Sequence, residues 1–265
     1  MKITYGFYTN LNKKQVAIMK GFGITLETGC DRFEIEKGEL SEQIEPYMKL
    51  WNCNKYWGTN YTKKELDAAE TLEMNSSGWT NGYPQPDDTM EWKNLTYDVT
   101  GLCSDCGTGL IQNSPFRLKR APNWNNKQMF DIEWVYDVLF VKKETYEELL
   151  KPLGIDHWPV LLHKKETVIA DTVQLKIPEG TSSLDLSNQP YELCSKCGNK
   201  KYINQIEGLF PRFTDGAPSL PIFKSKEYCG SGHVANKWIF VSQDLRHKLI
   251  KRNIKGHYRP VHKSS

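Results

Sequence analysis

The chain has 265 residues, 38% of them hydrophobic and 25% charged, with a formal net charge of +3. These proportions are typical of a folded globular protein and argue against a disordered one, and the length suffices for one large domain or two small ones. No stretch approaches the roughly 18 apolar residues of a membrane-spanning helix. The opening residues MKITYGFYTNLNKKQV lack the apolar core of a signal peptide. We therefore expect a cytoplasmic protein with no membrane partner.

Residues 1–100 are predicted to form an N-terminal α+β region. The segments KITYGFYTN (2–10) and GITLETGCDRFEIE (23–36) alternate apolar and polar residues as strands do. KKELDAAETLEM (63–74) is a plausible helix. The segment NSSGWTNGYPQPDDTMEW (75–92) is rich in Gly, Pro, Asn and Asp and is predicted to be a linker. It leads to a second region, residues 101–265.

Four of the seven cysteines form two C-x-x-C-G knuckles. The first knuckle holds Cys103 and Cys106, and the second holds Cys194 and Cys197. In a reducing compartment paired cysteines favour metal binding over disulfides, and the glycine after each pair allows the backbone to turn around an ion. Two thiolates from each knuckle complete a tetrahedral site, so we predict one structural Zn²⁺ with these four ligands. The alternatives are two unrelated reduced pairs or two redox pairs.

The spacing between the knuckles indicates what the metal would do. The 87 residues between Cys106 and Cys194 exceed an ordinary ribbon loop, so the ion would pin the two ends of an inserted unit. A site filled by four thiolates also has no open position for water, which argues against catalysis at the metal. Cys229 and His233 have a C-x3-H spacing, and a metal role for this pair stays open.

The chain downstream of each knuckle shows a second similarity. Residues 137–160 and 237–261 both begin with an apolar Phe-Val segment, continue as an amphipathic helix and end at Pro-Val. Most matching positions differ by 100 in number. We interpret residues 101–265 as a tandem duplication, with copies at about 101–190 and 191–265. The predicted helix stripes comprise Tyr146, Leu149, Leu150 and Leu153 in the first copy and Leu245, Leu249 and Ile250 in the second. Pro152 is expected to end the first helix near Lys151.

The end of the chain is basic and suggests a nucleic-acid partner as one hypothesis. Residues 224–265 hold ten basic and two acidic side chains. A charge run of this size is more often a solvated helix face, and no known nucleic-acid motif accompanies it. Phosphate-loop, zinc-protease, hydrolase and zinc-deaminase signatures do not occur in the sequence, so we do not expect an enzyme.

The two knuckles and the closing segment FVSQDLRHKLIKRNIKGHYRPV resemble the bacterial double-CXXCG motif family, over residues 97–265. The matching positions are Cys103, Cys106, Gly107, Cys194, Cys197 and Gly198. Several members of that family are regarded as immunity proteins, which protect a cell from a secreted polymorphic toxin. The resemblance implies a binding protein with a structural metal and a cognate protein toxin as partner.

The expected fold is α+β, with duplicated strand–helix units joined by a zinc-ribbon-like site of four cysteines and preceded by the N-terminal α+β region. The expected function is stoichiometric toxin neutralisation, and the alternative is a nucleic-acid-associated zinc-ribbon protein. Two segments are candidate binding surfaces. Their proposed anchors are Trp79, Tyr83 and Trp92 in the first and Arg246, Lys251 and Arg252 in the second.

Overall fold

The computed structural model describes residues 1–30, 32–76, 78–204 and 206–263. They form two compact units, Met1–Leu66 and Asp67–Ser265, here called the N-terminal and C-terminal units. The division falls well before the predicted boundary at residue 100, because residues 71–76 form a strand that pairs on both sides with strands from the end of the chain. Within the described ranges, no helix is long and apolar enough to cross a membrane.

The N-terminal unit is a three-stranded antiparallel sheet with helices. Its elements are β1 (Lys2–Tyr8), α1 (Lys13–Gly21), β2 (Arg32–Glu36), α2 (Glu39–Leu50), β3 (Asn54–Asn60) and α3 (Lys63–Ala68), the last of which ends just beyond the unit boundary. The strand order is β2-β1-β3. The core is formed by apolar side chains from α1, α2 and the sheet, including Phe7, Met19, Ile44 and Met48.

The predicted elements of this region are confirmed in part. The first predicted strand is β1, whereas the second is limited to Arg32–Glu36. The helix predicted over residues 63–74 is wrong in its second half, because the helix ends at Ala68 and Thr71–Ser76 is a strand. Long-range pairing with two strands outweighs local helix propensity there.

The C-terminal unit contains the remaining elements, which mix helix and strand and confirm the α+β class. They are β4 (Thr71–Ser76), α4 (Glu91–Thr96), β5 (Tyr97–Asp98), β6 (Ile111–Gln112), β7 (Arg117–Leu118), β8 (Met129–Ile132), β9 (Val135–Lys142), α5 (Lys143–Thr145), a π-helical turn (Tyr146–Leu150), a 3-10 turn (Lys151–Leu153), β10 (Asp156–Leu162), β11 (Val168–Lys176), β12 (Tyr191–Leu193), β13 (Lys200–Tyr202), β14 (Ile222–Lys224), β15 (Tyr228–Cys229), β16 (Ile239–Ser242), α6 (Gln243–Lys251) and β17 (His257–Pro260).

Two larger sheets organise this unit. Sheet I has the order β7-β10-β11-β9-β8, and sheet II has the order β14-β16-β4-β17. All strands of sheet I lie between the two knuckles in the chain. The strands of sheet II lie outside them, with β4 before the first knuckle and the other three after the second. Sheet I is therefore inserted into the chain segment that builds sheet II.

The middle strands of the two sheets have matching registers. In sheet I, β11 lies between β9 and β10, with Gln174 opposite Phe140 and opposite Trp158. In sheet II, β4 lies between β16 and β17, with Glu73 opposite Phe240 and Arg259. All four pairings are antiparallel. Glu73 thus occupies in sheet II the place of Gln174 in sheet I.

The outer strands repeat the same plan. Phe130 of β8 lies opposite Phe140 of β9, and their rings stack with centroids 4.9 Å apart. Phe223 of β14 lies opposite Phe240 of β16, with stacked rings 5.3 Å apart. These pairs belong to two separate aromatic cores, one on each sheet. Stacked aromatic pairs of this kind stabilise a core beyond the area they bury.

A helical connection follows β9 and β16 in the same position, but its form differs. After β9 the helix begins at Lys143, widens to a π-helical turn and continues past the predicted stop at Lys151 as a 3-10 turn to Leu153. Pro152 is tolerated because it lies in the first turn of the 3-10 segment. After β16, α6 is a regular helix from Gln243 to Lys251.

The predicted apolar stripes are confirmed in part. Tyr146 and Leu150 are buried after β9, and Leu245 and Leu249 are buried in α6. Ile250 is 49% exposed, so its inclusion in the stripe is wrong. A buried arginine takes part in this face instead of Ile250, as described below.

Two of the six proposed surface anchors, Trp92 and Arg246, are buried, and Trp79 is partly buried. Trp92 is 3% exposed, and Trp79 packs its ring edge on Trp124 and Phe130 in the core of sheet I. The prediction that these two tryptophans lie on an exposed face is therefore wrong. Tyr83 is 41% exposed and is the member of that set that reaches the surface.

Glu73 is a buried carboxyl group at the centre of sheet II. Glu73 is 2% exposed, and its Oε2 atom has no hydrogen-bond partner among the described residues. Burial raises the pKa of Glu73 to about 7, although the charge of Arg259 acts in the opposite direction. The folded state therefore favours the protonated form of this side chain.

Replacement of Glu73 with Gln, the residue at the matching position of sheet I, should change the pH dependence of stability. The pKa of Glu73 is about 7 in the folded protein, above its ordinary value of 4.5. Below pH 4.5 the side chain is protonated in both the folded and the unfolded state. As the pH rises to about 7 the unfolded chain ionises while the folded protein keeps the proton, so the wild type loses stability. Relative to Glu73→Gln, the wild type should lose about 3 kcal/mol across that interval. Urea unfolding of both proteins at several pH values measures this. A difference that does not vary with pH would show that Glu73 ionises freely.

Candidate metal centre

The four knuckle cysteines lie together in the C-terminal unit. Their Sγ atoms all lie within 4.8 Å of one another. Sγ of Cys103 is 3.7 Å from Sγ of Cys194, and Sγ of Cys106 is 3.5 Å from Sγ of Cys197. These separations exclude disulfides, since bonded sulfur atoms are about 2.05 Å apart. The predicted meeting of the two knuckles is confirmed.

The spacing of the sulfur atoms fits a tetrahedral thiolate site. A metal–sulfur distance of about 2.3 Å places neighbouring sulfur atoms of a tetrahedron about 3.8 Å apart. The two measured separations are slightly shorter than this value. A cation at the centre would need only small side-chain movements to reach all four ligands. The group can therefore hold a metal ion.

Both knuckles connect the strands of an antiparallel pair. The first lies between β5 and β6, and the second closes the hairpin of β12 and β13. In each, the amide of the glycine donates to the carbonyl of the first cysteine, over 2.8 Å at Gly107 and 2.9 Å at Gly198. Their φ angles are 79° and 74°, a left-handed conformation that favours glycine. The repeated C-x-x-C-G motif therefore produces the same backbone geometry in both knuckles.

Gly107 has a further role that Gly198 lacks. A Cβ atom at residue 107 would lie 2.2 Å from the carbonyl oxygen of His233, whereas one at residue 198 would meet nothing within 4 Å. The first knuckle is thus pressed against the segment that contains His233. Sequence spelling alone gives no sign of this difference.

Thr108 and Asn199 follow the two glycines and support the sulfur atoms. The Thr108 side chain is buried, with Oγ1 3.2 Å from Sγ of Cys106 and 3.8 Å from Sγ of Cys197. Nδ2 of Asn199 donates to Thr108 Oγ1 over 2.8 Å. Because Oγ1 accepts that bond, its own hydrogen is available to a thiolate. The shared position of these two residues after C-x-x-C-G was a usable signal that sequence analysis missed.

Lys201 places a buried positive charge beside the first knuckle. The residue is 2% exposed, and its Nζ donates to the carbonyl oxygen of Cys106 over 3.1 Å and to that of Gly232. A divalent ion with four thiolates carries a net charge of −2, so a nearby ammonium group offsets it. A lysine in a short exposed-looking strand gives no sequence signal of this burial.

The local contacts shift the pKa values of two knuckle thiols in opposite directions. Burial on its own would raise the pKa of the Cys106 thiol, but hydrogen bonds from the side chain and backbone of Thr108 and from neighbouring cysteines lower it. The pKa of Cys197 is raised: its bond with the Asn199 backbone acts to lower it, but burial and the Cys106 and Cys194 sulfur atoms outweigh that effect. A metal ion resolves this competition for protons because it binds all four as thiolates.

Accessibility differs across the site. Cys103 and Cys106 are buried, Cys194 is half-buried and Cys197 is exposed. An ion can therefore enter or leave from the side of the second knuckle. With all four sulfur atoms bound, a tetrahedral ion has no remaining position for a substrate.

The Cys229 and His233 pair does not extend the site. Cys229 is 3% exposed, lies in β15, and has a pKa raised chiefly by burial. Neither residue belongs to a group of three or more metal ligands in the described part of the chain. His233 contributes instead through its backbone contact with the first knuckle.

No protein-family model matches the chain, and a search of curated proteins finds no significant similarity.

Loss of one ligand should release the metal and destabilise the fold. Cys194→Ser should bind much less than one metal ion per chain and lose several kcal/mol of stability, because the binding free energy of a structural ion contributes to folding, at about 10–16 kcal/mol in small domains. Elemental analysis and urea unfolding measure both quantities. Cys30→Ser, outside the cluster, is the control and should keep its metal. Equal metal content in the two variants would refute this site.

Removal of the Thr108 hydroxyl should weaken metal binding without removing a ligand. Thr108→Val keeps the side-chain shape but removes the hydrogen bond between the hydroxyl and Cys106, and we expect a loss of affinity of about 10- to 100-fold. Competition with a chelator measures the affinity. Thr167→Val, at an exposed position, is the control. Unchanged affinity in Thr108→Val would show that the hydroxyl does not support the thiolate.

Proposed function

We propose that this protein is a zinc-stabilised binding protein that neutralises a bacterial polymorphic toxin by forming a stoichiometric complex, as an immunity protein does. The observation that carries the proposal is the closed four-cysteine site between two distant knuckles. Such a site supports a structural role, because it fixes the placement of chain segments and has no open coordination position. The proposal includes a cytoplasmic location, where the thiols stay reduced.

Zinc is the ion that we propose for the site. Thiolates are soft ligands, and a tetrahedral set of four is typical of structural zinc centres. The closely matched backbone turns of the two knuckles are typical of such centres. Elemental analysis of protein purified without added metal tests this assignment, which predicts about one zinc ion per chain.

We further propose that residues 101–265 arose by duplication of a strand–helix–strand unit. The support is the shared order of β9 and β10 with β16 and β17 around a helical connection, and the matching registers of the middle strands. In the first copy the middle strand is β11, which follows in the chain. In the second copy that place is taken by β4, which comes from before the first copy.

The contacts of the basic tail favour protein binding over nucleic-acid binding. Arg246 is 4% exposed and pairs with Asp67 over 2.9 Å. Arg252 pairs with Glu148 over 2.8 Å. Lys248 pairs with Asp244, and Arg259 lies over the ring of Phe210. Each of these cations already has an acidic or aromatic neighbour within the protein, so the set is poorly placed to neutralise phosphates.

Lys226, Lys251 and Lys255 have no acidic partner among the residues described, and three cations give a weak phosphate-binding surface. The alternative, a nucleic-acid-associated protein, is therefore retained as one possible result of the experiment described next. The set of basic surface anchors proposed from sequence changes as well. Arg246 is buried and is removed from it, whereas Lys251 is exposed and stays in it.

Co-expression with a secreted toxin encoded beside this gene tests the proposal. We expect wild-type protein to restore growth and to form a one-to-one complex on size exclusion, and Cys194→Ser to protect less because its knuckles separate. Cys30→Ser should protect fully. Absence of rescue and of a complex, together with DNA binding that weakens as salt rises, would refute the immunity role and favour the alternative.

A further inference from the structure

A large cleft opens beside the metal centre. Its volume is about 680 Å³, and it lies wholly within the C-terminal unit. The first knuckle contributes Gly107 to its wall, sheet I contributes Trp158 and Lys176, and the segment after β15 contributes His233 and Lys237. A volume of this size is in the range of about 300–1,000 Å³ that is typical of binding pockets.

The rim of the cleft is unusually apolar for an exposed surface. Four of the cleft-lining residues are large hydrophobic side chains with substantial exposure: Met90 at 62%, Ile111 at 67%, Val234 at 42% and Trp134 at 39%. A single exposed apolar side chain is normal, but several around one concave site are typical of an interaction surface. An occupant that covers this rim extends beyond the cavity itself.

Most of the charges that line the cleft are already paired. Three ion pairs lie there: Lys176 with Asp156 at 3.2 Å, Lys224 with Asp137 at 3.0 Å, and Lys237 with Glu179. The side-chain amides of Gln112 and Gln174 likewise satisfy each other, with hydrogen bonds of 2.8 and 2.7 Å. These groups need no ligand.

Lys93 is the exception among the cleft lysines. No acidic side chain pairs with it in the described ranges, and its ammonium group lies 5.6 Å from the centre of the Trp92 ring. Its partial burial lowers the pKa of the amine. This ammonium group has lost contacts with water and has gained no carboxylate within the protein. A ligand that supplies a carboxylate would therefore pair with it favourably.

We infer that this cleft is the docking site for the partner protein, and that it takes a polypeptide segment with an apolar or aromatic side chain next to a carboxylate. The apolar side chain packs among Ile111, Trp134 and Val234, and the carboxylate pairs with Lys93. A small molecule would fill the cavity but leave the rim exposed, so the rim favours a polypeptide. This inference rests on the proposed binding function and identifies the surface that performs it.

Selection from a phage library of twelve-residue peptides on the zinc-loaded full chain tests this site. We expect enrichment of peptides that carry Asp or Glu beside an apolar or aromatic residue. A synthetic copy of the enriched peptide should bind Ile111→Asp and Lys93→Glu at least about tenfold more weakly than wild type, as for loss of an interface anchor or charge pair. Ile250→Asp and Lys165→Glu are matched exposed controls and should bind within about twofold. Zinc content and circular dichroism check that each variant is folded.

Several results would overturn the inference. Enriched peptides without acidic residues, or equal binding to the cleft variants and the controls, would place the surface elsewhere. Displacement of the peptide by indole-3-acetate at low concentration would instead assign the cleft to a small anionic aromatic molecule.

The same variants separate this inference from the proposed function. If wild type neutralises the neighbouring toxin but Ile111→Asp and Lys93→Glu protect equally well, the function stands and the docking site is wrong. If wild type fails to neutralise the toxin, the immunity role fails, and the peptide selection still decides whether the cleft binds acidic polypeptide segments.

Discussion

Four sulfur atoms within 4.8 Å of one another are the constraint on which the C-terminal unit depends. As thiolates they repel each other, and as thiols they compete for hydrogen bonds, so a cation is what makes their proximity favourable. The ligands come from knuckles 87 residues apart, and closing a loop of that length costs about 4 kcal/mol in chain entropy. Structural metal binding, worth about 10–16 kcal/mol in small domains, exceeds this cost.

The position of the knuckles in the chain gives the metal a specific structural task. Sheet I is built entirely between them, and sheet II is built from the segments outside them. A metal ion bound by both knuckles would therefore close the base of the inserted sheet. The ion pairs of Lys224 with Asp137 and of Lys237 with Glu179 hold the two halves together beside it. The cleft lies at this junction, so its shape depends on the same closure, and a preformed surface loses less entropy when a partner binds.

The amino-acid sequence was sufficient to predict that the four knuckle cysteines meet, because a pair of thiol ligands depends on a local pattern. Each knuckle needs two cysteines and a glycine in fixed positions, and this pattern occurs twice in the sequence. The strand–helix order after each knuckle could be predicted for the same reason, whereas the strands β10 and β17 that follow the helices were not predicted. The helical segment at residues 63–74 was misassigned because β4 is determined by partners more than 160 residues away. No local signal carries that information.

Side-chain roles were the least predictable part. Trp79 and Trp92 lie in a turn-rich acidic segment, yet both pack in the core of sheet I. Arg246 lies in a basic run, yet it is buried against Asp67 and over the Tyr258 ring. Lys93 appears unremarkable in sequence, and its significance comes from the absence of an acidic neighbour within the described residues. Such roles follow from tertiary contacts and from which charges meet, and composition does not determine them.

X-ray absorption at the zinc edge, on protein purified without added metal, tests the central claim most directly. The account predicts one zinc per chain with a first shell of four sulfur atoms at about 2.3 Å. A shell with fewer than four sulfur atoms, or with nitrogen or oxygen ligands in their place, would contradict the assignment of the metal ligands to Cys103, Cys106, Cys194 and Cys197.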